Sequence, residues 1–136
     1  YTHNGDGIQI GIDDRVDVNS VETAVFNELN VGEVPGVGPV VYKQKAFYAN
    51  SPKSTVLENA KIGIKRYDGY TVYECMIPWD DIFYADYQVN PDNKMRFSVM
   101  ANDNDGAGRK GLIQYTGGIG TVKNVMEFGM MTLNKK

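Results

Sequence analysis

Lys61-Ile62-Gly63-Ile64-Lys65-Arg66-Tyr67-Asp68-Gly69-Tyr70-Thr71-Val72-Tyr73-Glu74-Cys75-Met76-Ile77 is the stretch that decides the fold class. Ile62 and Ile64 fall on one face of an extended chain, because side chains alternate between faces with a period of two. Asp68-Gly69 separates this run from a second extended run, Tyr70 to Ile77. An Asp-Gly pair between two such runs predicts a hairpin, since glycine accepts the positive φ of a tight turn.

The same period recurs in both directions from this hairpin. In Gly7 to Asp13, Ile8, Ile10 and Ile12 share one face and Gln9, Gly11 and Asp13 the other. Val21 to Leu29 is read as a strand, as are Lys94 to Ala101 and a closing run, Glu127 to Leu133. Pro78-Trp79-Asp80-Asp81-Ile82-Phe83 predicts one short helical turn entered at a proline. Val31 to Pro39, rich in glycine and proline, reads as a loop. No repeat of 20 to 50 residues is visible. Many strands with short turns and no long amphipathic helix predict an all-β protein. The expected architecture is a two-sheet antiparallel β-sandwich, jelly-roll-like, forming a single domain over residues 1–136.

Composition limits the functions available. At 136 residues the chain can bury a core, and 42% hydrophobic with 23% charged residues is ordinary globular usage. No apolar run reaches the roughly 20 residues that span a bilayer. The net charge is -3 and the basic residues are scattered, which argues against nucleic-acid binding. Cys75 is the one cysteine and is expected to be a buried, inert thiol, since no base is tied to it in sequence.

Three segments in order carry a family resemblance: Gly5-Asp6-Gly7-Ile8-Gln9-Ile10-Gly11-Ile12-Asp13; Gly69 through Ile77-Pro78-Trp79; and Phe97-Ser98-Val99-Met100-Ala101-Asn102-Asp103-Asn104-Asp105-Gly106, continuing to Tyr115 and Phe128-Gly129. Together they resemble the family 9 carbohydrate-binding modules of the wider DOMON-like superfamily. The resemblance implies a β-sandwich attached to a secreted or cell-surface bacterial glycan-active protein. Such modules carry strands ahead of the first segment, so the resemblance implies a domain lacking its opening strands, with an upstream segment or another chain completing the sandwich.

Sugar modules stack pyranose rings on aromatic faces and bind hydroxyls with polar side chains. The resemblance implies a clamp of two tryptophans, whose positions fall here on His3 and Val122. The clamp is therefore not conserved in kind, and a module that has lost sugar binding is a competing expectation. Gln9 corresponds to a position that binds sugar hydroxyls in the family, and it points away from the isoleucine row. The candidate carbohydrate-binding residues are Gln9, His3 and Tyr115, with Tyr1, Tyr48, Tyr84 and Tyr87 as further aromatic platforms. Trp79 is read as a core anchor.

Asn102-Asp103-Asn104-Asp105-Gly106 alternates amide and carboxylate oxygens ahead of a glycine, the composition of a tight loop around a hard cation. Structural calcium, which the resemblance also implies, is assigned to Asn102, Asp103, Asn104 and Asp105. The downstream Glu of an EF-hand is missing. Gly117 to Lys123 lacks the ending and the helix of a phosphate loop, and no pair of carboxylates is placed for glycoside hydrolysis. The chain is thus expected to be non-catalytic. A haem-binding DOMON-like domain, with His3 and one of six methionines as axial ligands, is the remaining alternative.

Overall fold

The computed structural model describes residues 6–17 and 22–134. It is an all-β fold of two antiparallel sheets. In chain order the elements are β1 (Gly7–Asp13), β2 (Asn27–Val34), β3 (Gly38–Lys45), β4 (Thr55–Val56), β5 (Lys61–Tyr67), β6 (Tyr70–Met76), α1 (Trp79–Ile82), β7 (Lys94–Asp103), β8 (Gly111–Gln114) and β9 (Gly129–Thr132). A 3₁₀ turn over Val125–Glu127 precedes β9. The larger sheet runs β4-β3-β2-β1-β7-β8, and β9 pairs with the other end of β7. The hairpin β5–β6 forms the second sheet, closed at Asp68-Gly69 with Gly69 at φ +83°. Tyr67 and Tyr70 stack beside the turn, ring centroids 4.8 Å apart.

The alternation in β1 sorts the molecule into layers. Ile8, Ile10 and Ile12 pack with Leu29, Val31, Val41 and Met95, and above them lie Ile62 and Tyr73 of the hairpin and Ile82, Phe83 and Trp79 from the α1 region. Trp79 stacks on Phe83 and is half-buried, in keeping with a core anchor. The opposite face has a second, smaller core of Phe26, Met100, Ile119, Val125 and Phe128. Gly11 makes this core possible. A Cβ there would sit 2.3 Å from the Phe128 ring, so glycine lets the ring lie directly on the strand.

The strand boundaries depart from the sequence expectation in three places. The strand expected at Val21–Leu29 begins at Asn27, and Val21 lies outside the described residues. The expected loop at 31–39 is largely strand: β2 runs to Val34, turns through Gly36 at φ +78°, and returns as β3 from Gly38. Pro39 is tolerated because it sits in the first residues of β3, next to the turn. The closing strand is shorter than expected because Val125–Glu127 winds into the 3₁₀ turn, with Asn124 accepting from Met126 N.

The sheets are unequal, and this determines what is exposed. Cys75 is exposed, not buried as expected. It pairs with Ile62 and faces the large sheet, but among the described residues no strand flanks the outer side of β6. An apolar recess of about 200 Å³ opens there, lined by Ile10, Ile12, Cys75, Trp79 and Phe97 among others. Farther along the same face Ile113 is 81% and Tyr115 71% exposed.

Candidate functional site

Sequence reasoning placed Gln9 on the face away from the isoleucines, and the structure puts it there. It is only 5% exposed, however, and is held inside a chain of hydrogen bonds. Gln9 Nε2 donates to Glu28 Oε1 at 3.0 Å. Gln9 Oε1 accepts from Asn102 Nδ2 at 3.1 Å. Asn102 Oδ1 in turn accepts from the Arg109 guanidinium at 3.3 Å. At the other end both carboxylate oxygens of Glu28 accept from Lys123 Nζ at 2.9 Å. The row therefore runs Arg109, Asn102, Gln9, Glu28, Lys123. A cation that can only donate stands at one end, and a carboxylate that can only accept fixes the other. The two ends determine which way both amides point.

Register explains why these residues meet. Gln9 lies opposite Asn30 on β2 and opposite Met100 on β7, so Asn30 and Asn102 share its face. Asn30 Nδ2 donates to Gln44 Oε1 at 2.7 Å, which extends the polar row to β3. Asn30 is 1% exposed and its Oδ1 has no hydrogen-bond partner among the described residues. A buried acceptor left unpaired costs free energy. Tyr42, half-buried, stands opposite Asn30 in register and puts an aromatic ring on this face. Gln9, Glu28, Asn30 and Asn102 are buried, so only Tyr42, Gln44, Lys123 and Arg109 at the rim of the row reach solvent and can meet a polyhydroxylated ligand.

Known proteins offer no guide to this arrangement. Comparison finds no matching family model, no matching curated protein and no matching solved structure. What the site does must come from its own geometry.

The other sequence candidates lie elsewhere. His3 and Tyr1 are outside the described residues. Tyr115 lies on the opposite face of the sheet from Gln9: a Cβ on Gly129, which pairs with Phe97, would meet the Tyr115 ring at 3.2 Å. One site cannot hold both Gln9 and Tyr115, because a residue of β1 and one following β8 meet only when their alternation agrees. Tyr48 and Tyr87 both donate to Asp14, at 2.8 and 3.2 Å, and Tyr48 meets Tyr84 edge to face. These hydroxyls are committed to the framework, and burial raises their pKa well above the ordinary phenol range, making them weaker acids.

The acidic loop spends its oxygens in several directions. Asn102 faces the polar row. Asn104 Oδ1 accepts from Gly106 N at 2.8 Å and Gly108 N at 3.1 Å, closing the turn. Asp105 pairs with Lys110 at 2.5 Å. Asp103 is exposed at the end of β7 and, by alternation, on the opposite side from Asn102. Among the described residues no three acidic, histidine or cysteine side chains gather as a metal group. The four assigned ligands do not present one set of oxygens in this conformation; an ion would require Asp105 to leave Lys110.

Glu28, Asn30, Gln44, Lys123, Arg109 and Tyr42 were not singled out in sequence. Glu28 and Asn30 carried a signal, since both occupy alternate positions in Asn27-Glu28-Leu29-Asn30 beside buried Leu29. Lys123 and Arg109 carried none, because loops deliver them to the sheet.

Proposed function

We propose that the domain is a non-catalytic carbohydrate-binding module and that its site is the rim of the polar row at Tyr42 and Gln44, not a clamp of aromatics. The observation that supports this is that these two half-buried side chains of β3 share the face of the row, with the Gln44 amide held by Asn30. A sugar ring can lie on Tyr42 while its hydroxyls reach Gln44, and an amide that is already fixed binds hydroxyls without first being ordered. The setting that the sequence resemblance implies is a secreted or cell-surface bacterial protein acting on glycans. Calcium belongs to the same resemblance, and the loop geometry gives it no support.

Isothermal titration against soluble oligosaccharides tests the assignment. Tyr42→Ala is expected to weaken binding of whichever glycan binds by about tenfold, the loss of one stacking ring. Tyr115→Ala is expected to leave it unchanged. Loss of binding on Tyr115→Ala with none on Tyr42→Ala would move the site to the other face.

A specific observation favours a second role. Among the described residues the outer edge of β6 is unpaired, and the apolar face beyond it exposes Ile113 and Tyr115. An open edge over an apolar face is a template for another strand. An assembly module, joined there by an upstream segment or another chain, would show concentration-dependent mass in sedimentation that Cys75→Arg, placed on the inward face of β6, abolishes. A monomer at all concentrations that melts cooperatively would count against it.

A further inference from the structure

We infer that the open edge of β6 takes a β-strand donated by a different polypeptide, apolar at alternate residues and carrying a cation that meets Asp103; this rests on the assembly role argued above. β5 packs toward β3, so β6 faces the uncovered side of the large sheet. The two-residue turn makes Tyr67 and Tyr70 a hydrogen-bonded pair, and such pairs alternate along the hairpin. Val72, Glu74 and Met76 therefore direct their N–H and C=O groups to β5, and Thr71, Tyr73 and Cys75 direct theirs to the open edge. Tyr73 packs against the core, and Thr71 and Cys75, two residues to either side, share its face. An added strand that satisfies these groups places its own residues opposite Thr71, Tyr73 and Cys75 on the inward face.

What lies beneath that strand sets its chemistry. Beside Cys75 is the apolar recess of about 200 Å³, and a second recess of about 250 Å³ continues from Phe97 to Tyr115 and Met131. The residues opposite Cys75 and Tyr73 are therefore apolar. At the turn end the character changes. Arg66, paired with Thr71 on the hairpin, reaches Asp6 on the large sheet at 3.5 Å. Asp103 stands beside Asp6, since Gly7 lies opposite Asn102 and Asn104 N donates to Asp6 Oδ1 at 2.9 Å. Asp103 is exposed and forms no ion pair among the described residues. A lysine opposite Thr71 repeats the Arg66–Asp6 bridge one strand along. A second copy cannot supply this strand by pairing β6 with β6. Antiparallel edges of two copies are related by a two-fold axis normal to the sheet, which puts both large sheets on the same side. With Cys75 beside Ile10 and Ile12 of β1, β7 and β8 project beyond β6 by two strand widths, about 10 Å, and would collide with those of the copy.

NMR titration of the whole chain with end-blocked peptides tests this. The probe is an extended peptide with valine at two alternate positions and lysine at the next, antiparallel to β6. It is expected to shift the amide signals of Thr71, Tyr73 and Cys75 saturably. A peptide of the same composition with its valines adjacent is expected to leave them unmoved. Thr71→Pro removes an edge N–H that β5 does not use, so it is expected to keep the melting curve and abolish binding. N-methylation of the peptide at its valines removes the same class of hydrogen bond without altering the protein, and is also expected to abolish binding. Asp103→Lys is expected to weaken the lysine peptide about fivefold and to strengthen one carrying glutamate there, the upper worth of an exposed ion pair. Equal binding of alternating and rearranged peptides, or binding that survives N-methylation, overturns the inference. Concentration-dependent mass that Cys75→Arg abolishes, with no peptide bound, also overturns it and leaves the assembly module standing. A monomer that binds no peptide overturns both.

Discussion

The ammonium of Lys43 donates to the main-chain carbonyl of Ile82 from a fully buried position on β3. It also donates to the carbonyl of Asp81 at 3.2 Å and to the hydroxyl of Ser51. One buried cation thus ties the large sheet to the end of α1, where unpaired carbonyls concentrate negative potential. The carboxylate of Asp81 acts on it from farther off and forms no ion pair with it. Burial dominates, and the Lys43 ammonium is lowered from 10.5 to about 8.

A lowered lysine fixes the sign of a pH effect. The folded protein holds the proton less tightly than the unfolded chain, so Lys43 opposes folding below pH 8, and this opposition fades as pH rises toward 10.5. Stability measured by urea against a Lys43→Met variant should shift in favour of the wild type by about 2 kcal/mol between pH 7 and pH 10. Tyr48 and Tyr87 shift the other way: their raised pKa keeps their contribution intact up to pH 10 and removes it above. The comparison therefore belongs below pH 10. A constant difference between the two proteins across that window would mean that Lys43 titrates as an exposed lysine does.

Gly11 and Phe128 form a size-matched pair across the second core. Gly11→Ala would place a methyl 2.3 Å from the ring, and Phe128 also touches Phe26 edge to face at 4.8 Å, so the ring has little room to withdraw. Overpacking of this kind costs about 1–3 kcal/mol. In a Phe128→Leu background the same substitution should cost less than half as much, because the conflicting edge is gone. Additive losses in the double-mutant cycle would place the strain elsewhere.

The period-two pattern made the all-β class, the β5–β6 hairpin and the α1 turn legible, because one face of each run had to be buried and the turn chemistry was local. The strand β3 was hidden by its own beginning. Pro35, Gly36, Gly38 and Pro39 read as a loop, while pairing to β2 carries the chain straight through Pro39 into Val40 and Val41. Gln9 was found for its direction but not for its burial, since the side chains that enclose it come from β2, β7 and two loops. The fate of Asn104 and Asp105 depended on Gly106, Gly108 and Lys110 competing for their oxygens, and composition alone does not rank those partners against an ion.

The 102–108 loop makes a sharp prediction about calcium. Its turn is already closed by Asn104 on two backbone N–H groups and by Asp105 on Lys110. A ligand that binds only the folded state raises the melting temperature in proportion to its excess over its dissociation constant. The folded arrangement offers no convergent oxygens, so millimolar calcium and a chelator should give the same melting temperature. A rise of several degrees in calcium, lost in Asp103→Ala and Asp105→Ala, would instead demonstrate that the loop rearranges around an ion and restore the calcium assignment.

Glu28 is 1% exposed, and its oxygens satisfy both Lys123 and Gln9. Glu28→Ala leaves Lys123 without its carboxylate and the Gln9 amide without an acceptor, and it should cost about 3 kcal/mol in a urea titration. Replacing both charged partners should cost much less than replacing one. Glu28→Gln with Lys123→Met keeps a carbonyl for Gln9 Nε2 and removes the charge that would otherwise be stranded, so the double variant should recover most of the loss. Because the carboxylate end also fixes how Gln9 and Asn102 point, the same double variant should weaken glycan binding even where it folds as stably as the wild type. Recovery of stability together with full binding would show that the orientation of the row does not depend on Glu28, and Arg109 alone would then be setting it.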